Sequence, residues 1–220
     1  MTQMDISYLG HSSFRLKGRS ATVVTDPYDS QMVGFKFPKL SADVVTISHD
    51  HGDHNKSEFV KDAEFIIKEP GEYEIKGVSI IGIATYHDEK NGELRGKNNI
   101  YIYEMDGFRI AHLGDLGHKL GEKILDNMGE IDILMIPTGG EFTVGPADAA
   151  EIVRDIDPWM VIPMHYQSEG MNADSFSKLA PVDDFLKEAG YPVERLPKLS
   201  VKKETMLEEQ KIILLERLKV

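Results

Sequence analysis

The sequence has no cysteine among its 220 residues. That removes disulfides, thiolate metal ligands and cysteine nucleophiles together, and leaves imidazole and carboxylate as the groups able to hold a metal. Basic residues are scarce against acidic ones, 25 Lys and Arg to 37 Asp and Glu, giving a net charge of −12. A field of that sign repels polyanions at long range, so nucleic acid is disfavoured as a partner and a small-molecule substrate is favoured. No apolar run approaches the ~20 residues that span a bilayer, and the start Met1-Thr2-Gln3-Met4-Asp5 has no basic segment leading into an apolar one. The expectation is a cytoplasmic protein without membrane contact, with homo-oligomerisation left open. Internal repeats, low-complexity tracts and Pro/Gly/Ser linkers are also lacking. With 41% hydrophobic and 28% charged residues, the chain reads as one packed domain over residues 1–220.

The patterning predicts a β-rich first half. Strands are expected at Asp5–Leu9, Ser13–Leu16, Ala21–Thr25 and Asp43–Ser48, punctuated by Gly10 and Gly18. Further strands are expected at Glu64–Ile67, Val78–Ala84, Asn99–Glu104, Phe108–Leu113, Asp132–Ile136 and Met160–Pro163, several too uniformly apolar to face water. Helices are expected at Lys119–Asn127, Ala147–Ile156 entered through Pro146, and Asp174–Ala189 closed by Gly190. Leu199–Lys203 and Lys211–Glu216 read as closing strands, although Thr205–Leu218 is also compatible with one helix. Strands followed by alternating strands and helices imply an α/β protein with two sheets packed together and helices outside.

What the chain does have, concentrated in one place, is histidine. Ser48-His49-Asp50-His51-Gly52-Asp53-His54 carries the pattern H-x-H-x-D-H, which chance would produce in only about one such sequence in a thousand. Three imidazoles and two aspartates this close repel one another once partly protonated, and a cation relieves that cost. His49 and His51 can address one side of the turn while Asp53 and His54 continue around it, so adjacent ligands can serve two neighbouring metals, with Gly52 supplying backbone freedom. The expected strand leading into the window would fix these ligands before binding.

This window resembles the signature of the metallo-β-lactamase superfamily. Thr25-Asp26-Pro27 looks like that superfamily's first motif, and His87 in Thr85-Tyr86-His87-Asp88, Asp115 in His112-Leu113-Gly114-Asp115-Leu116-Gly117-His118 and His165 in Pro163-Met164-His165-Tyr166 match the third to fifth in order. Tyr8-Leu9-Gly10-His11-Ser12-Ser13-Phe14 and Pro137-Thr138-Gly139-Gly140 resemble the compact branch that includes ascorbate-6-phosphate lactonase-like proteins. The resemblance implies a four-layer αββα sandwich of two mixed β-sheets with helices on the outer faces. It implies one metal on His49, His51 and His87, another on Asp53, His54 and His165, Asp115 bridging both, and Asp26 buttressing the loop from behind. Zinc is the first expectation for the two divalent ions; the donor set also admits manganese or iron.

His112 competes with His87 for the third motif. The resemblance favours His87, 28 positions ahead of Asp115, and leaves His112 and His11 as supporting residues behind the ligands. The implied reaction is metal-dependent hydrolysis of an ester, lactone or phosphodiester by a metal-bridging hydroxide, with Asp53 orienting the water and His118 or Tyr166 protonating or binding the leaving group. His118 could equally cap the following helix. The segment from Gly139 to Pro146 could present helix N–H groups to a substrate anion or be an ordinary loop, and Tyr28–Leu40 could be a substrate lid or a loop packing its own aromatics. The alternative to an enzyme is a metal-binding regulatory or scaffold protein on the same fold.

Overall fold

Two faces of alternating side chains on short strands set the architecture. The computed structural model describes residues 3–203 and 209–219. Its early strands are β1 (Met4–Gly10), β2 (Ser13–Lys17), β3 (Thr22–Thr25), β4 (Leu40–Ser41), β5 (Val44–Thr46), β6 (Val60–Lys61) and β7 (Phe65–Ile67). There follow β8 (Gly71–Ile75), β9 (Val78–Tyr86), β10 (Lys97–Met105), β11 (Phe108–His112), β12 (Ile133–Pro137), β13 (Met160–Met164), β14 (Val193–Leu196), β15 (Leu199–Val201) and β16 (Lys211–Leu215). One sheet has the order β15-β1-β2-β3-β5-β7, the other β14-β16-β13-β12-β11-β10-β9-β8, and β4 pairs with β6. Both large sheets are mixed. In the first, β3, β5 and β7 are parallel and the rest antiparallel; in the second, β8 to β11 are antiparallel and β11 to β14 are joined in parallel.

Period-2 alternation divides the core into layers. Val23, Ile110, Ile133 and Ile213 face a cluster between the two sheets. Their neighbours Ala111, Leu134 and Ile212 face a second cluster under the helices α2 (Glu122–Met128), α3 (Pro146–Ile156) and α5 (Val182–Ala189). Val24 faces a third, under α1 (Ser30–Val33) and α4 (Ala173–Phe176). α3 lays Ala149, Ala150, Ile152 and Val153 against its sheet, and burying a side chain such as Ile152 contributes about 1.5–3 kcal/mol. This is the four-layer αββα arrangement.

Three expectations need correction. The helix expected over Asp174–Ala189 is two helices, because Pro181 lacks the N–H that a continuing helix needs and instead caps the start of α5. The helical alternative for Thr205–Leu218 fails where it is described, since Lys211–Leu215 is strand β16 between β13 and β14; residues 204–208 lie outside the described residues. The hairpin of β8 and β9 was only half expected: Lys76 and Gly77, both with positive φ, form the two-residue turn that lets Glu72, Tyr73 and Glu74 pair with β9. Tyr28–Leu40 is a packed loop, with Tyr28, Val33, Phe35 and Phe37 buried in the third cluster and Met32 exposed. Among the described residues, no helix is long and apolar enough to cross a membrane.

Candidate metal centre

Six strands deliver the polar cluster, and each delivers it just beyond its last residue. β1 leads to His11, β3 to Asp26, β5 to the His49–His54 loop, β9 to His87, β11 to Asp115 and β13 to His165. Within each sheet these strands run the same way, because the antiparallel runs β1/β2/β3 and β9/β10/β11 each reverse direction twice and β5 and β13 are joined to them in parallel. The first sheet therefore supplies one wall of the site and the second sheet the other. His11, Asp26 and His165 adopt left-handed backbone conformations with φ of 57°, 40° and 52°. Such conformations cost non-glycine residues energy and persist where the surroundings dictate them. Two glycines are required by close approach: a β-carbon on Gly117 would overlap the backbone of His87, and one on Gly139 the carbonyl of His165.

The side chains converge in two groups. His49, His51 and His87 form one and His11, Asp53, His54 and His165 the other, the potential ligand atoms of each lying within 4.8 Å of one another. Asp115 lies between them: its Oδ2 is 3.3 Å from Nε2 of His54, 3.3 Å from that of His87, 3.2 Å from that of His165 and 3.9 Å from that of His49. Except for His51 at the rim, all of these residues are buried. Burial alone would raise the Asp115 carboxyl; the His165 and His54 imidazoles hold it well below the usual carboxylate range. Asp53 is likewise held low against burial, by His54 and His11. Burial opposes the charged form of His54, but Asp115 and Asp53 outweigh it and hold His54 well above the usual histidine range. His49 is pushed well below that range by burial and by His54.

Behind these groups, Asp26 sets orientation. Its Oδ2 accepts hydrogen bonds from His54 Nδ1 at 3.0 Å and from Ser48 Oγ at 2.6 Å, while its Oδ1 accepts from the Ser48 amide at 2.7 Å. With its proton committed to Asp26, the Ser48 hydroxyl accepts from His49 Nδ1 at 2.9 Å. One carboxylate thus fixes the ring nitrogen that bears hydrogen in two histidines, leaving the Nε2 atoms of both aimed inward. His11 Nε2 donates to Asp53 Oδ2 at 3.0 Å. Asn98 accepts the Asp115 amide at 2.9 Å and donates to the Leu113 carbonyl, pinning the turn that carries Asp115.

Not every expected residue joins the cluster. His112 is fully buried with Nε2 2.7 Å from the Ser12 carbonyl, and lies outside both groups. The buried ring of Tyr166 packs against Tyr8, 6.4 Å between centroids, and lines neither cavity beside the cluster. His118 does line a cavity with His87, yet both its nitrogens are engaged, Nδ1 with the Lys119 carbonyl at 2.7 Å and Nε2 accepting from the Tyr86 amide at 3.3 Å. Ser48 and Asn98 were missed as supports, since nothing local in the sequence marks a hydrogen bond formed between distant strands.

The donor set fits a cation. Nε2 of His49, His54 and His165 and Oδ1 of Asp115 are buried without a hydrogen-bond partner among the described residues, which a buried polar atom tolerates only at a cost of about 1–3 kcal/mol. Comparison with known proteins decides the family. A family described as the β-lactamase superfamily domain matches residues 5–165. The chain belongs to the metallo-β-lactamase superfamily. A metallo-β-lactamase superfamily protein of Thermotoga maritima, named as a Zn-dependent hydrolase, is similar over 97% of this chain and 98% of its own, with 37% identity and a TM-score of 0.79. UPF0173 metal-dependent hydrolases of Thermococcus onnurineus and Thermococcus kodakarensis are 30% and 31% identical over 74% of this chain and 84% of theirs. Igni18 of Ignicoccus hospitalis, a metallo hydrolase, shares the superfamily fold at a TM-score of 0.65 and 19% identity, covering 86% of this chain and 91% of its own. The relatives that share 30% identity or more are named metal-dependent hydrolases.

Proposed function

We propose that this protein is a binuclear metal-dependent hydrolase acting on an ester, lactone or phosphodiester bond of a small molecule. The observation that carries the reading is the convergence of the buried, unpartnered Nε2 atoms of His49 on one side and of His54 and His165 on the other upon the Asp115 carboxylate. One ion would be held by His49, His51 and His87, the second by Asp53, His54 and His165, with Asp115 shared between them. Zinc suits this set, and iron or manganese is admitted by it. Bound there, such ions supply Lewis acidity and activate water near neutral pH.

The chain's own residues do the rest. Asp26 holds His54 directly and His49 through Ser48, so two ligands are oriented before any ion arrives. Asp53, held by His11, is the carboxylate positioned to orient the attacking water and accept its proton. His118 lines the smaller cavity beside His87, from which it would bind or protonate a leaving group. No side-chain nucleophile is required.

The test is metal analysis of protein purified without added metal, together with a screen of ester, lactone and phosphodiester probes. Two ions per chain are expected, lost on His49→Ala and His165→Ala, with hydrolysis of at least one probe class. A ratio far below two that neither substitution changes defeats the reading. Full metal content with no turnover and tight capture of a partner would replace it with the scaffold alternative.

A further inference from the structure

Three cations stand around the cavity that opens on His49 and His51. That cavity, ≈ 640 Å³, is lined by Lys68, Arg95 and Lys97 as well as by the two histidines, a size suited to a small ligand. The net charge of −12 makes three cations around one cavity a local reversal of sign, and elsewhere Lys76, Lys119, Lys198 and Lys211 are each neutralised by an acid. Lys68, Arg95 and Lys97 have no carboxylate within ion-pair distance among the described residues. Asp50 and Glu69 also line the cavity, and Asp50 accepts a hydrogen bond from Asn55.

Each cation is tied by backbone to a histidine of the centre. Asn99 Nδ2 bridges the carbonyls of Lys68 and Ser48, at 3.0 Å each, so Lys68 is fixed relative to His49. Lys97 pairs with Tyr86 at the start of β10, one residue before His87. Arg95 closes the loop that begins at His87: the His87 amide donates to the Gly96 carbonyl at 3.0 Å, and the Asp88 carboxylate accepts the amides of Lys90, Gly92, Leu94 and Arg95. The Arg95 guanidinium donates to the Glu141 carbonyl at 3.0 Å and lies over the Phe142 ring, which holds the fork at one place while leaving other N–H groups free. Arg95 also lines the smaller cavity that holds His87 and His118, so it stands on the ridge between the two openings of the centre.

We infer that Arg95, with Lys68 and Lys97, forms a subsite for an anionic group, carboxylate or phosphate, carried by the substrate away from the bond that is cleaved. This rests on the hydrolase reading for the word substrate, and not for the binding itself. A planar guanidinium matches both anions bidentately, and two lysines beside it add charge.

Binding of three probes to the metal-loaded protein tests it by calorimetry. Succinamate offers one carboxylate and a neutral tail, succinate a carboxylate tail, and 3-phosphonopropionate a phosphonate tail; the common carboxylate reaches the metals alike. A charged tail is expected to tighten Kd about tenfold or more, and the tighter of the two names the anion. Arg95→Ala should abolish that gain, the pair Lys68→Ala and Lys97→Ala should reduce it several-fold, and succinamate binding should stay constant throughout. Equal affinity for the three probes, a gain that survives Arg95→Ala, or no binding of any probe at millimolar concentration overturns the inference. Turnover plays no part in the readout, so a protein that shows the tail effect and cleaves nothing refutes the hydrolase reading alone.

Discussion

Asp26 is the residue on which the orientation of the centre depends most, since one buried carboxylate serves His54 directly and His49 through the Ser48 hydroxyl. Asp26→Asn keeps the shape but replaces one accepting oxygen with a donor; because Oδ2 serves both His54 and the Ser48 hydroxyl while Oδ1 serves the Ser48 amide, the change costs either both histidines or the Ser48 amide its acceptor. Metal affinity, read by competition with a chromophoric chelator, should fall about 10–100-fold; an unchanged affinity would remove the buttress from the account. His11 makes a different demand. It is pushed down to about 4, by burial first and by the neighbouring His165, whereas an unfolded histidine titrates near 6.5. Between those values the unfolded chain takes up a proton that the native chain refuses. Stability is therefore whole above the upper value and falls as pH drops toward the lower one. His11→Gln keeps a donor for Asp53 without that titration. Chelator-treated protein carrying it should lose roughly 2 kcal/mol less stability than wild type between about pH 7 and pH 5 in denaturant unfolding. Equal losses in both would show that His11 is not held neutral.

At the scale of elements, the centre is made by strand ends, and that explains which parts were legible in the sequence. His49 to His54 form a dense local pattern, whereas Asp26, His87, Asp115 and His165, each after an apolar β run, were legible through the resemblance to the superfamily's motifs. Ser48, Asn98 and Asn99 act through hydrogen bonds to segments distant in the chain, and the packing of the Tyr166 ring against Tyr8 has no local mark either. Pro181 was visible, yet helical periodicity on both sides of it hid the break between α4 and α5. The loop from His87 to Gly96 had no periodicity to read; its order comes from four backbone amides on Asp88. Burial alone would raise that carboxyl, and the four amides, Arg95 foremost, hold it below its ordinary value. Asp88→Ala should leave the metal content intact and abolish the preference for a charged tail as Arg95→Ala does, because Arg95 then loses its anchor. Retention of that preference would mean that Arg95 is held by Glu141 and Phe142 without help. A scaffold element should behave in the opposite way: Ile152→Ala in α3 removes a fully buried side chain and should cost about 2–5 kcal/mol in unfolding experiments, while folded protein keeps its metal and its probe affinities.

Over the whole molecule, net charge and local charge disagree, and that is why composition could disfavour polyanions without revealing the cations at the cavity. Lys68 follows β7 of the first sheet while Arg95 and Lys97 stand at the entry to β10 of the second, so the three meet only when both sheets are in place. The same division governs stability. His11, Asp26 and the His49–His54 loop stand at the ends of strands in the first sheet, and His87, Asp115 and His165 at the ends of strands in the second. Ions held between them as proposed would join the two sheets at one edge, in addition to the apolar cluster that joins them along their faces. A ligand that binds only the folded chain stabilises it by about 4 kcal/mol at a thousand times its Kd, so stripping metal with a chelator should lower the unfolding midpoint and zinc should restore it. The loss should also be local in hydrogen exchange. Amides from His49 to His54 and around His87, Asp115 and His165 should lose protection together, although they come from different sheets. Those of α3, packed on the far face of the second sheet, should keep theirs until global unfolding. Equal loss of protection in α3 and in the loops would mean that the metals hold up the whole fold, and no loss in either sheet's loops would mean that they do not bridge the sheets.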